Sequence, residues 1–198
     1  MIATIFDYGA GNLHSLAKGL ERAGAIVRVT DSAAAAIATD VLVLPGVGSF
    51  PYAAERLGGP NAALATAIRA GLPTIGICLG MQLLFARSDE GQGDGLGVMN
   101  GAVTRLTARH VPHIGWNALD DVRDRALTDA QLSTAYYANS YACRPFDEND
   151  VVAWTTHDDD RFPAAVRRGA IYGMQFHPEK SSIAGVATLR EVLREVMK

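Results

Sequence analysis

The chain has 198 residues, 48% apolar, 20% charged and 7% aromatic, with 18 Lys and Arg against 21 Asp and Glu for a formal net charge of −3. At about 150 residues per domain, that length predicts a single domain over residues 1–198 with ample apolar material for a layered core. The balanced charge excludes a nucleic-acid binder driven by counterion release. No apolar run reaches the roughly 18 residues of a membrane span, and residues 1–6 carry no basic segment ahead of Asp7, so a cytoplasmic location is expected. Two cysteines, Cys78 and Cys143, without CxxC spacing, point to neither a disulfide framework nor a thiolate zinc site.

Short β-branched runs at residues 2–6, 26–30, 41–44 and 74–77 read as strands bounded by turn residues. Between them, residues 13–23 place Leu13, Leu16, Ala17, Leu20 and Ala23 at helical spacing, with Gly24 as a stop. Asp31-Ser32 caps a short helix over 33–37, and further helices are expected at 52–57 and 62–70. Apolar strands separated by helices imply right-handed crossovers and an α/β fold with a mainly parallel sheet, buried on both faces and flanked by helices. After Arg87 a glycine-rich loop precedes strand-like segments at 98–106, 135–143, 151–155, 164–167 and 171–176, a half that reads as antiparallel or mixed. An amphipathic helix over 184–197 closes the chain, with Val186, Leu189, Leu193 and Val196 on one side.

Within Gly76-Ile77-Cys78-Leu79-Gly80-Met81-Gln82 a strand runs into Cys78 and a helix is expected to start at once. This Gly-x-Cys-x-Gly pattern is the thiol form of the nucleophile elbow, a sharp strand-to-helix turn that presents its central residue at the sheet's C-terminal edge. The helix N-terminus beyond it would favour a thiolate. A buried cysteine packing as a small hydrophobe is the competing reading of the motif alone. A thiol nucleophile needs a base and a group to orient that base, and Gln175-Phe176-His177-Pro178-Glu179 supplies both. Pro178 biases His177 toward extended backbone, where Glu179, two residues on, would share its side and fix its tautomer. For the tetrahedral oxyanion, the N–H of Leu79 follows the nucleophile, and Pro45-Gly46-Val47-Gly48 at the end of a neighbouring strand offers a second donor.

The remaining histidines carry less. His110 and His113 are separated by Pro112 and do not form the two-ligand face of a zinc helix, and His157 belongs to an acidic stretch. His14 stands where a Gly9-x-Gly11-x-x-Gly fingerprint needs its third glycine, so no dinucleotide cofactor is indicated, and the site is expected to use no cofactor and no metal.

With these motifs the chain resembles the class I (triad) glutamine amidotransferases, a flavodoxin-like fold. Within them it is most similar to the glutaminase subunits of imidazole glycerol phosphate synthase. The family-wide part is the Cys78 elbow with Gln175 to Glu179. The narrower part is Asp7-Tyr8-Gly9-Ala10-Gly11-Asn12-Leu13, Pro45 to Phe50, Pro112-His113-Ile114-Gly115-Trp116-Asn117 and Glu179-Lys180-Ser181, blocks that run through essentially the whole chain.

The resemblance implies that Cys78 attacks the side-chain amide of glutamine, His177 protonates the departing ammonia and Glu179 orients His177. It further implies that Gln82, Glu90, Ser140 and Tyr141 hold glutamine, and that Gly46, Val47 and Leu79 form or gate the oxyanion hole. Its implied partner is a (β/α)8-barrel cyclase subunit that uses the ammonia to make imidazole glycerol phosphate and an aminoimidazole carboxamide ribotide. Asn12, Trp116, Asn117 and Tyr136 are then candidates for the docking face or ammonia exit, although Trp116 reads almost as well as a core tryptophan. If the Gly46–Val47 peptide can present either its C=O or its N–H to the oxyanion, ligand binding on the partner could switch catalysis.

Where the family commonly has Val-His-Ser-Tyr, this chain has Ala138-Asn139-Ser140-Tyr141, and Asn139 keeps a polar side chain that does not titrate near neutrality. Replacing it by His is expected to be mild. Three rival readings are a glutaminase serving another synthase such as pyridoxal phosphate synthase, a cysteine hydrolase or chaperone-like protein of a related fold, and a non-catalytic subunit. Residues 7–12 and 112–117 argue against the first, activity on glutamine separates the second, and the intact triad argues against the third.

Overall fold

The structure is a computed structural model that describes residues 1–198 except Ala10 and Asn12. In chain order the first half contains β1 (Ile2–Phe6), α1 (His14–Arg22), β2 (Ile26–Thr30), α2 (Ala33–Ile37), β3 (Val41–Leu44), α3 (Phe50–Leu57), α4 (Ala63–Arg69), β4 (Thr74–Ile77) and α5 (Leu79–Gln82). The second half contains β5 (Gly101–Arg105), β6 (His113–Ala118), α6 (Arg125–Asp129), β7 (Thr134–Asn139), β8 (Tyr141–Pro145), β9 (Val151–His157), β10 (Asp160–Arg168), β11 (Ile171–Met174) and α7 (Ser182–Val196).

Seven strands form one sheet in the order β2-β1-β3-β4-β11-β10-β9. The five from β2 to β11 are mutually parallel, and β10 and β9 continue antiparallel. The α/β reading with a mainly parallel sheet therefore holds. Alternation along β3 explains the two-sided core, since Val41 and Val43 join one apolar cluster while Leu42 and Leu44 join the other. Leu16 and Leu20 of α1 with Leu189 and Val192 of α7 cover the first face. Phe50 and Leu57 of α3 with Leu64 and Ile68 of α4 cover the second. Each such fully buried side chain contributes about 1.5–3 kcal/mol relative to exposure.

The expectation of two-sided burial fails at β2, where Ile26 is 64% and Val29 51% exposed. As the edge strand it has only β1 beside it. The second half also differs from its sequence pattern. The run 135–143 is not one strand: it breaks at Ser140, so that β7 pairs with β6 and β8 with β5 in two separate antiparallel ribbons. Ser140 accepts the N–H of Leu106 at this break. The strand expected over 98–106 begins only at Gly101, because the N–H groups of Val98 and Met99 both go to the carbonyl of Leu84. β6 and α6 had no counterpart in the sequence reading. No helix of the described residues is long and apolar enough to cross a membrane.

Candidate active site

β4 and β11 are parallel neighbours with Ile77 opposite Met174, so the chain leaves both strands at the same edge of the sheet. Cys78 follows Ile77, and its N–H is tied to the carbonyl of Met174 at 2.7 Å. Its backbone sits at φ 50°, ψ −108°, a region costing a non-glycine residue about 1–3 kcal/mol, which only a surrounding frame can hold. The flanking glycines are that frame. A Cβ on Gly76 would lie 2.6 Å from the Gly80 carbonyl oxygen, and one on Gly80 would run into the carbonyl of Leu44. The elbow geometry expected from the motif is thus present, with the cysteine 6% exposed at the rim of a cavity.

The helix starts directly after Cys78, as expected, and is a single turn. Residues 83–85 are apolar on every side and fully buried, and their surroundings are supplied by the glycine-rich loop. The carbonyls of Leu83, Leu84 and Ala86 accept N–H groups from Leu96, Val98, Met99 and Gly95 instead of extending the helix. A macrodipole therefore adds little at the sulfur. What the turn does supply is the N–H of Leu79, which as the first helical residue has no intrahelical acceptor.

His177 is placed by long-range contacts. Its N–H donates to the Tyr136 carbonyl of β7 at 2.8 Å, and its own carbonyl accepts the Ser181 hydroxyl at 2.7 Å. The Ser181 Oγ in turn accepts the N–H of Tyr136 at 2.9 Å, closing a loop between β7 and the His177 segment. The imidazole Nδ1 lies 2.8 Å from Glu179 Oε1, with both side chains 6% exposed. His177 is extended as expected, but Pro178–Lys180 forms a 3-10 turn, so the turn and not strand alternation brings the carboxylate back to the ring. With Nδ1 engaged, Nε2 is left for the sulfur. Burial opposes a charge on His177, yet hydrogen bonds and charges from Cys78 and Glu179 prevail and raise its pKa from 6.5 to about 10.

Two cavities meet at this pair. The first, about 150 Å³, is lined by Gly46, Cys78, Leu79, Gln82, Glu90 and the segment 138–141, bringing together every residue expected to hold the substrate. Glu90 accepts the Phe50 N–H at 2.9 Å, and the Tyr141 carbonyl accepts Gln82 Nε2 at 3.0 Å. The second cavity, about 330 Å³, lies on the other side, against Leu13, Pro45, Val47, Ala138, His177 and Lys180. Gly46 separates the two. A Cβ there would stand 2.8 Å from the Cys78 Cβ and 3.0 Å from His177 Cε1, so only glycine lets this loop close on the pair.

Of the residues expected at a docking face, Trp116 is 55% exposed on β6, which removes the core reading, and it meets Tyr136 edge-on at 6.3 Å. Ile114, 64% exposed, and Ala138 lie on the same ribbon face, and Lys180 reaches over the Tyr136 ring at 5.9 Å. Asn117 is tied up elsewhere: its Nδ2 donates to the Thr156 carbonyl at 2.9 Å and its Oδ1 accepts the Ala118 N–H. Asn12 lies outside the described residues. Asn139 is buried, 5% exposed, opposite His113 across the ribbon, and donates its Nδ2 to the Tyr141 carbonyl at 3.1 Å. Among the described residues no group of three or more His, Cys, Asp or Glu is arranged to hold a metal ion.

The sequence reading assigned no role to Gln175, which is fully buried and donates to Cys78 Sγ at 3.6 Å. Its signal was there: a lone amide inside the apolar run from Ile171 to Phe176. Ile114 was also passed over, although it alternates with the buried His113.

Residues 4–194 match the family described as Glutamine amidotransferase class-I. The chain belongs to this family. Among its relatives is the Imidazole glycerol phosphate synthase subunit HisH of Microcystis aeruginosa, 40% identical over 205 residues that cover 100% of this chain and 97% of the relative. The subunit of the same description from Mycolicibacterium paratuberculosis is 42% identical over 196 residues, 94% of each chain. Among solved structures, one described as a glutamine amidotransferase superposes with TM-score 0.75 at 18% identity, covering 100% of this chain and 99% of that one. PurLQS from Thermotoga maritima superposes with TM-score 0.73 at 19% identity, covering 98% and 97%. At that identity the superpositions speak for the fold alone.

Proposed function

We propose that this chain is the glutaminase subunit of imidazole glycerol phosphate synthase, a single catalytic domain over residues 1–198 that works in the cytoplasm and feeds ammonia to a (β/α)8-barrel cyclase subunit. The observation that carries the chemistry is the strained Cys78 beside a buried His177–Glu179 pair at the junction of two cavities. His177 takes the thiol proton, and Cys78 Sγ attacks the side-chain carbonyl carbon of glutamine. The oxyanion is met by the N–H of Leu79 and the Gly46–Val47 peptide. His177 passes its proton to the amide nitrogen as the C–N bond breaks, releasing ammonia and leaving a glutamyl thioester. Water, deprotonated by His177, then cleaves the thioester to glutamate and restores the thiolate. Glu179 holds the ring through Nδ1 in both steps.

Glutamine enters the cavity of Gln82, Glu90, Ser140 and Tyr141, and ammonia leaves through the one beside Val47 and Lys180. Ammonia reaching bulk water is protonated and lost as a nucleophile, so the exit must be covered. The ribbon face of exposed Ile114 and Trp116 and half-buried Tyr136 includes Ala138, which lines this exit, and it suits an apolar partner surface. Reorientation of the Gly46–Val47 peptide is the step through which substrate on the cyclase turns glutaminase on.

Glutamate release is measured for the chain alone, with the cyclase subunit, and with the cyclase and its nucleotide substrate, each beside Cys78→Ala. Turnover that rises with the loaded partner and is lost in the variant is expected. Absence of turnover in every combination overturns the assignment, and a free chain as fast as the loaded complex overturns the switch.

A further inference from the structure

We propose that Gln175 is a further catalytic residue, whose side-chain amide donates a hydrogen bond to the Cys78 sulfur and holds it as the thiolate that attacks. The proposal rests on the reading of Cys78 as nucleophile. Gln175 lies one residue beyond β11, its backbone N–H fixed to the Ala164 carbonyl at 2.9 Å and its side chain wholly shielded from solvent. Nε2 lies 3.6 Å from Cys78 Sγ, an ordinary length for a sulfur acceptor.

The orientation of this amide is set by its neighbours. Gln175 Oε1 accepts from Gln82 Nε2 at 3.2 Å, and Gln82 Nε2 donates its other proton to the Tyr141 carbonyl at 3.0 Å. A backbone carbonyl only accepts, so the Gln82 amide must turn its NH2 toward Tyr141. Its protons are then both used, Gln175 must present oxygen to Gln82, and its own NH2 is left facing the sulfur. A reversed Gln175 would set two NH2 groups against each other and leave an acceptor at the sulfur. One backbone carbonyl thus fixes, through two side chains, a donor aimed at the nucleophile.

A thiolate accepts far better than a thiol, so this hydrogen bond favours the charged form of the sulfur. It weakens while the sulfur is tied up in the thioester and re-forms as the C–S bond breaks, so it also assists the second half of the reaction. Gln175 thereby supplements His177, which moves the proton, by stabilising the sulfur left behind. The chain of contacts also gives Gln82 two duties, since its Nε2 orients Gln175 and only its Oε1 remains for glutamine.

The test uses the whole chain with its cyclase subunit for turnover, and iodoacetamide alkylation of Cys78 as a function of pH, read by mass spectrometry so that Cys143 is counted separately. Gln175→Met removes the donor at similar volume, and Gln175→Glu replaces it by a group that faces the sulfur with oxygen. The alkylation midpoint is expected to rise by about one pH unit in Gln175→Met and further in Gln175→Glu, with kcat falling about tenfold or more and KM for glutamine nearly unchanged. Variants that are folded yet keep the wild-type midpoint overturn the proposal and reduce Gln175 to a packing role.

A measurement on the unmutated chain covers the case in which neither variant folds. The side-chain NH2 protons of Gln175, followed by NMR, are expected to shift as Cys78 titrates and to lose that response in Cys78→Ser. A resonance indifferent to the state of the sulfur overturns the proposal. Full glutaminase activity in Cys78→Ala would instead overturn the nucleophile assignment, an outcome separate from either Gln175 result.

Discussion

Cys78 and His177 arrive at the same sheet edge by different means. Cys78 is held by its own stretch of chain: a buried parallel strand, two glycines and a backbone at φ 50° that aims the side chain outward. His177 is held by partners distant in sequence or beyond a turn, namely Tyr136 of β7, Ser181 and Glu179. The Cys78 elbow is therefore largely local, with one tie from its N–H to the Met174 carbonyl of β11, while His177 depends on the β6–β7 ribbon and the entry to α7 being in place. Damage to the β6–β7 ribbon or to the entry of α7 should displace His177 while leaving the elbow intact.

The sharpest way to break that contrast is Glu179→Gln, which keeps shape but withdraws the negative acceptor from His177 Nδ1. A kcat loss of about 10² to 10⁴ is expected in steady-state glutamate assays, with alkylation of Cys78 persisting. A loss of under threefold would mean that Ser181 and Tyr136 suffice to position the ring. Next in size, Trp116→Ala on the exposed ribbon face should weaken binding of the cyclase about tenfold by calorimetry. Its unfolding free energy should stay within about 0.5 kcal/mol of wild type, because the ring is already half in solvent.

The pH dependence of stability separates the contributions of Cys78 and Glu179 to His177 by size. A histidine whose folded pKa is raised from 6.5 to about 10 binds its proton more tightly in the folded state. That stabilisation is complete below the unfolded value of 6.5 and is lost as pH rises through the folded one, near 10. Denaturant unfolding across this window should show the loss in wild type and a smaller one in Cys78→Ala, which lacks the sulfur partner. Equal losses in both would assign the shift to Glu179 alone. The smallest expected effect on activity is Asn139→His, with turnover within about threefold. Its cost should fall on thermal stability, because a larger ring must fit a site 5% exposed opposite His113.

Much of this was legible without coordinates in the first half. The strands at residues 2–6, 26–30, 41–44 and 74–77 coincide with β1 to β4, because strands in a parallel sheet read as short apolar runs with turn residues at either end. Cys78 was legible for the same reason, since an elbow is a property of five consecutive residues. The second half was not. Nothing in residues 135–143 announces the break at Ser140 that gives β7 and β8 different partners, because pairing is chosen by strands far away in sequence. Gln175 was visible as a misplaced amide but mute about its acceptor.

Sequence alone determined the α/β plan and the parallel strands, and it put forward Cys78, His177 and Glu179 as the candidate nucleophile, base and orienting carboxylate, since each motif is a matter of residue types at short spacing. Tertiary structure alone decided that the helix after Cys78 stops after one turn, that Trp116 faces solvent, and that the Tyr141 carbonyl, Gln82 and Gln175 form a line to the sulfur. Those outcomes hinge on which buried polar groups find partners across the fold, a balance struck between segments up to 97 residues apart, and no local pattern records it.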